Sequence, residues 1–191
     1  MSNTTTGNVT VNYTLTGITA TSGLDYQHTG GTITITAGTT GTTLVLATSG
    51  DTIFEGNETF QLILSSASVN ATISDATGVV TITDDDTAPS ISVNDINITE
   101  AGSGLITISL SNTTTGNVTV SYVLTGGTAS SGSDYVYIAG TALITGGNTG
   151  VTVRVTTTGD LVYEGDETVL FVLSSASVNA TISDATGVVT I

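Results

Sequence analysis

One kind of donor dominates the chemistry open to this chain, the carboxylate oxygen. Asp84, Asp85 and Asp86 stand side by side, with only Thr87 and Ala88 between them and Pro89, the single proline. Upstream, Asp51, Glu55 and Glu58 fall close together and recur later as Asp160, Glu164 and Glu167, while Asp25 recurs as Asp134, each followed by a tyrosine. Adjacent carboxylates repel unless water or a cation offsets their charge. The chain cannot supply that offset itself: 16 Asp+Glu face one basic side chain, Arg154, giving a net charge of -15. A hard divalent cation taking about six to eight oxygen ligands is the natural counter-charge, and carboxylates favour calcium over softer metals.

The same composition excludes several function classes. At pI near 4.1 the chain repels nucleic acid and anionic membrane surfaces and favours cationic partners. It has no cysteine and one histidine, so a nucleophile, base and orienting group could be drawn only from carboxylates and hydroxyls, and none is spaced for that task. We therefore expect no enzyme. No run approaches the roughly 18 apolar residues of a membrane helix, so no membrane insertion by this segment is expected. The polar start Met1-Ser2-Asn3 does not resemble a signal segment, which places any export signal or anchor outside the sequence given.

The elements that must position these acids are strands. The segment Ser2 to Val11 recurs at Ser111 to Val120, and Leu64 to Ile82 recurs at Leu173 to Ile191, both at an offset of 109 residues, so two equivalent domains align without a gap. Apolar residues alternate with polar ones: Val9, Val11, Tyr13 and Leu15; Ile33 and Ile35; Leu44 and Leu46; Phe60, Leu62 and Leu64; Val80 and Ile82. Gly- and Asn-rich clusters mark the turns between them. The second copy repeats these five strands and prefixes two more, Ile91 to Thr99 and Leu105 to Leu110. The expectation is all-β: two immunoglobulin-like antiparallel sandwiches in tandem, residues 1–86 holding strands C to G and lacking A and B, residues 87–191 holding A to G but lacking the terminal acidic run. Without A and B, strand E of the first copy has no partner, so that copy should be the less stable.

Strand alternation alone then sorts the acids. If C runs upward, the A–B, C–D and E–F loops and the exit of G share one pole. Glu100 falls in the A–B loop, Asp25 and Asp134 at the start of D, and Asp51, Glu55 and Glu58 with Asp160, Glu164, Asp166 and Glu167 in the E–F loop. Only Asp75 and Asp184 go to the other pole, and Asp95 lies along strand A.

The patterns GTASSGSDY (Gly127 to Tyr135), DLVYEGDET (Asp160 to Thr168) and GVVTITDDD (Gly78 to Asp86) together resemble the Calx-β domain, the calcium-binding sandwich of sodium/calcium exchangers, integrin β4 and large bacterial surface proteins. The resemblance implies calcium ligation by Asp25, Asp51, Glu55, Glu58, Asp84, Asp85 and Asp86 in the first copy, and by Glu100, Asp134, Asp160, Glu164 and Glu167 in the second. There are departures. Gly50 and Gly159 stand where the exchanger-like pattern has a second aspartate, and Asn57 replaces the acid found at Asp166. The first copy has no A–B glutamate, and the second has no terminal aspartates. Each site is short of ligands, which implies weak binding, or one ion where the family holds several.

Other conspicuous residues have plain roles. Tyr26 and Tyr135 are expected to pack, and His28 to be an exposed strand residue. Rows such as Thr32, Thr34 and Thr36 read as the solvent side of a half-buried strand. The sequons at Asn8, Asn70 and Asn179 follow from an Asn- and Thr-rich composition. The resulting expectation is an extracellular or cell-surface calcium-binding repeat, a spacer stiffened by calcium in a surface or adhesin-like protein. Its partners would be calcium ions, adjacent repeats of the same array, and a cell-surface protein or glycan. The alternatives are a regulatory calcium sensor of a membrane transporter and a ligand-binding adhesin module.

Overall fold

The computed structural model describes all 191 residues, and every regular element in it is a strand. The chain forms two compact units, Met1–Thr52 with Gly56–Asp84, and Ile53–Glu55 with Asp85–Ile191.

The first unit is a single antiparallel sheet. Its strands are β1 (Val9–Gly17), β2 (Gly30–Ile35), β3 (Glu58–Ser65) and β4 (Thr77–Ile82), in the order β2-β1-β3-β4. Strict alternation along β1 sends Val9, Val11, Tyr13 and Leu15 to the buried face and Thr10, Asn12 and Thr14 between them outward. Phe60 is fully buried there and stacks on Tyr26, with ring centroids 4.4 Å apart. The Leu44–Leu46 segment forms no strand, against the expectation of a strand E, although both leucines pack on this core from half-buried positions. The reason is pairing. A strand needs a neighbour to take its backbone N–H and C=O groups.

The second unit has that neighbour. One sheet runs β10 (Gly150–Thr156), β7 (Ser103–Leu110), β5 (Ser90–Val93) and β12 (Thr181–Ile182); the other runs β6 (Ile96–Asn97), β13 (Thr186–Thr190), β11 (Thr168–Ser174), β8 (Val118–Thr125) and β9 (Ala139–Ile144). Between them lies a continuous core in which Ile91, Ile106, Ile108, Val118, Val120, Leu124, Val155, Val169, Phe171 and Val189 are fully buried. Burying one such side chain is worth about 1.5 to 3 kcal/mol. One glycine in each unit serves its packing: Gly31 in the first and Gly140 in the second lie against the rings of Tyr13 and Tyr122, where a Cβ would come within 3.1 and 2.8 Å of ring or hydroxyl atoms.

Strand A departs from expectation in two ways. It breaks after Val93, so that β5 joins one sheet and β6 the other, and both β12–β5 and β13–β6 pair in parallel. Side chains at the break account for the division. Asn94 Oδ1 accepts the Thr107 N–H at 2.6 Å on one sheet, and Asp95 Oδ1 accepts the Val188 N–H at 2.7 Å on the other. Asp95 is thus a structural tie between sheets. His28 is exposed, as expected, but precedes β2 in a loop.

Candidate metal centre

Three loops of the second unit build the acidic pole. Between β8 and β9 the chain makes a tight turn in which Gly132 N donates to Tyr135 O at 2.9 Å and Asp134 N to Ser130 O at 3.0 Å. Tyr135 is buried in the core and anchors the turn. Asp134, beside it, is only 7% exposed, and its Oδ2 accepts the Ser130 N–H at 2.6 Å. The loop after β10 is fixed at its root by Thr157, a buried residue whose hydroxyl donates to Thr99 O at 2.8 Å and accepts from Gly102 N at 2.9 Å. That hydroxyl ties the A–B turn, which carries Glu100, to the loop bearing the remaining acids.

Asp160 Oδ1 accepts the Val162 N–H at 2.6 Å and caps its own turn. Gly165 follows Glu164 at φ 79°, a left-handed conformation that returns the chain toward the sheet at little steric cost because it has no Cβ. Glu167 is then pinned by reciprocal backbone bonds with Ile191 at 3.1 and 2.9 Å.

The outcome is convergence. One carboxylate oxygen from each of Asp134, Glu164 and Glu167 lies within 4.8 Å of the other two. Glu100, Asp160, Ser133 and Thr158 complete the walls of a pocket of about 10 Å³, room for roughly one water-sized sphere. Arg154 plays no part in it: its Nη1 donates to Ser103 Oγ at 2.7 Å.

The electrostatics are those of anions held together without a cation. The backbone donor of Ser130 keeps the Asp134 carboxyl below its ordinary value and outweighs the opposing effect of burial. Desolvation pushes Glu164 up, and the charges of Asp134, Asp160 and Glu100 add to that. Glu167 is raised by desolvation first, then by its hydrogen bond to Asp134, then by the charges of Asp134, Glu164 and Glu100. A calcium ion among these oxygens would offset the repulsion that raises the two glutamates. The donors are all hard oxygens, and the volume suits one ion.

The first repeat carries the same frame. Thr21 N donates to Asp25 Oδ2, Gly23 N to Tyr26 O at 2.9 Å and Ser49 N to Asp25 O at 2.9 Å. Asp25, Glu55 and Glu58 have carboxylate oxygens within 4.8 Å of one another, and Gly56 has φ 76° where Gly165 has 79°. Of the acidic run, Asp84 turns to the loop backbone: its Oδ2 accepts the Gly56 N–H at 2.6 Å, and its own N–H donates to Asn57 Oδ1 at 3.0 Å. Neither Asp51 nor Asp85, both exposed, nor the half-buried Asp86 belongs to the three-carboxylate group.

Four contributors were not anticipated from sequence, Ser130, Ser133, Thr157 and Thr158. Their part is played by backbone groups and short hydroxyls common throughout so Ser- and Thr-rich a chain, so residue type gave no signal. Asp75 and Asp184 each accept the backbone N–H two residues on, at 3.2 Å, as turn residues.

Comparison with known proteins bears on this geometry. The Calx-beta domain family matches twice, over residues 1–86 and 84–190. Among solved structures, the crystal structure of CBD12 from CALX1.2 aligns with TM-score 0.51 and 18% identity over 99% of this chain and 89% of that one, a likeness of fold. The crystal structure of calcium binding domain CBD12 of CALX1.1 aligns with TM-score 0.49 and 18% identity over 97% and 88%. That of the apo-form Calx CBD1 domain aligns with TM-score 0.46 and 21% identity over 52% and 95%. No curated protein sequence matches the chain.

Proposed function

Because this chain belongs to the Calx-β family, a family of calcium-binding β-sandwiches, and carries the domain twice in tandem, we propose that it takes up calcium at the acidic pole of each repeat and serves as an extracellular, calcium-stiffened spacer. The observation that carries the calcium reading is the convergence of Asp134, Glu164 and Glu167 with no basic side chain on the pocket wall. Asp134 is the pivot. It is the buried member, its orientation is fixed by the Ser130 N–H, and its unbonded lone pairs remain for an ion. Glu164 and Glu167 supply the rest of the charge from a loop that an ion would order. Glu100 and Asp160, on the same wall, are placed to complete the oxygen set directly or through water. In the first repeat Asp25, Glu55 and Glu58 take the corresponding parts.

Support for the spacer reading comes from the sequence between the repeats. Only Thr83 to Pro89 separates β4 from β5, and it includes Asp84, Asp85 and Asp86. Asp84 accepts the Gly56 N–H of the acidic loop, so an ion that orders that loop restricts the start of this short connection; without it the connection loosens. Binding stabilises the folded state as RT ln(1 + [L]/Kd), about 2.7 kcal/mol at one hundred times Kd. The test combines melting and small-angle scattering in calcium and in chelator. The proposal requires a higher melting temperature and a larger, narrower distribution of dimensions with calcium. Unchanged dimensions beside a raised melting temperature would leave calcium binding intact and remove the spacer role.

A further inference from the structure

In the second unit the two sheets leave one flank of the core open. β9 is the outer strand of one sheet and β10 the outer strand of the other, and between them runs a groove of about 420 Å³. Its floor is Tyr122, Ile138, Val151 and Val153, half-buried residues that continue the core. The groove is bounded at both ends. At one, the Val136 N–H donates to Thr156 O at 3.0 Å beside the Tyr135–Thr157 bridge; at the other, the chain turns from β9 into β10. Val155 and Ile144, toward these two ends, are sealed.

The lips of the groove are backbone. Leu110 N donates to Thr149 O at 2.7 Å and Thr157 N to Gly102 O at 3.0 Å, so in the β10–β7 ladder the odd-numbered residues of β10 bond to β7. Thr152 and Arg154 therefore turn their N–H and C=O groups away from β7 and into the groove. On β9, the Leu124 N–H on Ile138 O at 2.9 Å sets the same alternation and turns Thr141 and Leu143 to the other lip. All four have exposed side chains and still line the groove, as exposed backbone requires. One charge distinguishes the lips. Arg154, the only basic side chain, stands on the outer face of β10 with Nη1 donating to Ser103 Oγ, and none of the 16 Asp+Glu lines the groove.

We propose that this flank binds an extended acidic segment of a partner protein, added antiparallel to the edge of β10, with apolar side chains at alternate positions and a carboxylate opposite Arg154. Pairing sets the pattern. A residue opposite Arg154 projects to the same outer face, where its carboxylate meets the guanidinium, and its two neighbours point inward over Val151, Val153, Tyr122 and Ile138. The N–H and C=O groups of Thr152 and Arg154 supply the main-chain bonds that hold any strand at this edge; the side chains choose which one. A basic segment would set like charges side by side. The first repeat lacks the device, because Val45 stands at the position of Arg154 and residues 41–47, the counterparts of Gly150–Thr156, form no strand.

The test uses the full 191-residue chain in calcium and the peptide acetyl-Ser-Val-Glu-Val-Thr-Val-Ser-amide, whose threonine falls opposite Thr152 when its glutamate is opposite Arg154. At saturating peptide, amide exchange of Thr152 and Arg154 should slow by about tenfold or more, with residues 41–47 unaffected. Glutamine in place of the peptide's glutamate should weaken binding about threefold at low salt, the worth of an exposed ion pair, and lysine should weaken it further. Arg154→Gln should abolish the difference between the glutamate and glutamine peptides. Thr152→Pro, tolerated at an edge whose N–H faces outward, should leave the melting temperature nearly unchanged and remove the protection of Arg154. The Arg154→Gln cycle decides the matter should the proline variant lose its fold. No slowing at Thr152 and Arg154, equal binding of the three peptides, or binding unchanged in a folded Thr152→Pro chain overturns the proposal. So does a chain that self-associates through β10 and excludes the peptide, since the occupant is then a second copy.

Discussion

Leu64 and Leu173 are the same residue at the same position of two repeats, and one is half-buried while the other is 3% exposed. Val80 and Val189 differ in the same way. Local sequence is shared over this stretch, from Leu64 to Ile82 and from Leu173 to Ile191, so the difference comes from outside it. The second unit has β5 and β7 to close its core; the first has a single sheet. Burial at Leu64 and Val80, and even the existence of a strand at residues 41–47, therefore depend on the complete sandwich, whereas Val9 and Phe60 are buried in the first unit as Val118 and Val169 are in the second. The acidic poles teach the converse. The turns around Asp25 and Asp134 have corresponding hydrogen bonds in both units, because their partners all lie within or beside the loop and survive without the second sheet.

Matched substitutions sharpen this comparison most strongly. Leu173→Ala should destabilise the second unit by about 2 to 5 kcal/mol, the cost of a cavity in a closed core. Leu64→Ala should cost the first unit nearer 1 kcal/mol, since its site is already open to water. Denaturant unfolding followed by hydrogen exchange resolves the two units. Equal losses would mean that the first core is as closed as the second. By the same argument the wild-type chain should unfold in two steps, with β1–β4 first.

How much of this was legible beforehand follows the same division. The period-two pattern located the strands at Val9, Phe60 and Val118 because alternation is a local signal. Up-and-down alternation sent Glu100, Asp134, Asp160, Glu164 and Glu167 to one pole, and the pocket joins them. The break in strand A was not legible, since it depends on Asn94 and Asp95 reaching backbone groups of two sheets far away in sequence. Nor was the loss of strand structure at Leu44–Leu46, where a correct alternating pattern lacks a partner. In the acidic run, sequence treated Asp84, Asp85 and Asp86 alike. The fold separates them, because only Asp84 meets the Gly56 N–H.

The next largest effect concerns the hinge of the acidic loop. Gly165→Ala forces a Cβ into φ 79° and should cost about 1 kcal/mol by strain. It should weaken calcium binding more than it lowers the melting temperature, because the strain falls on the turn joining Glu164 to Glu167. Calorimetry beside a melting curve separates the two losses. Gly56→Ala should act likewise in the first repeat, and a divergence between the pair would show that the two loops work differently.

The smallest predicted effect is on pH dependence. Glu164 and Glu167 have raised pKa values when folded, so the folded state holds their protons more tightly. Without calcium, stability of the second unit should rise as pH falls from neutral toward the ordinary glutamate range. Asp134 has a lowered pKa, so its contribution is present above its unfolded value and is lost on further acidification. A shallow maximum in the weakly acid range is expected in melting curves taken in chelator. In calcium the rising limb should vanish, because protons and the ion compete for the same oxygens.

The most direct test is a calcium titration by calorimetry on the full chain, beside one variant carrying Asp134→Asn with Glu167→Gln and another carrying Asp25→Asn with Glu58→Gln. Saturable binding is predicted, with each variant losing the part contributed by its own repeat and both remaining folded. No heat at millimolar calcium, or binding unchanged in both variants, would contradict the assignment and leave the acidic poles as solvated surface.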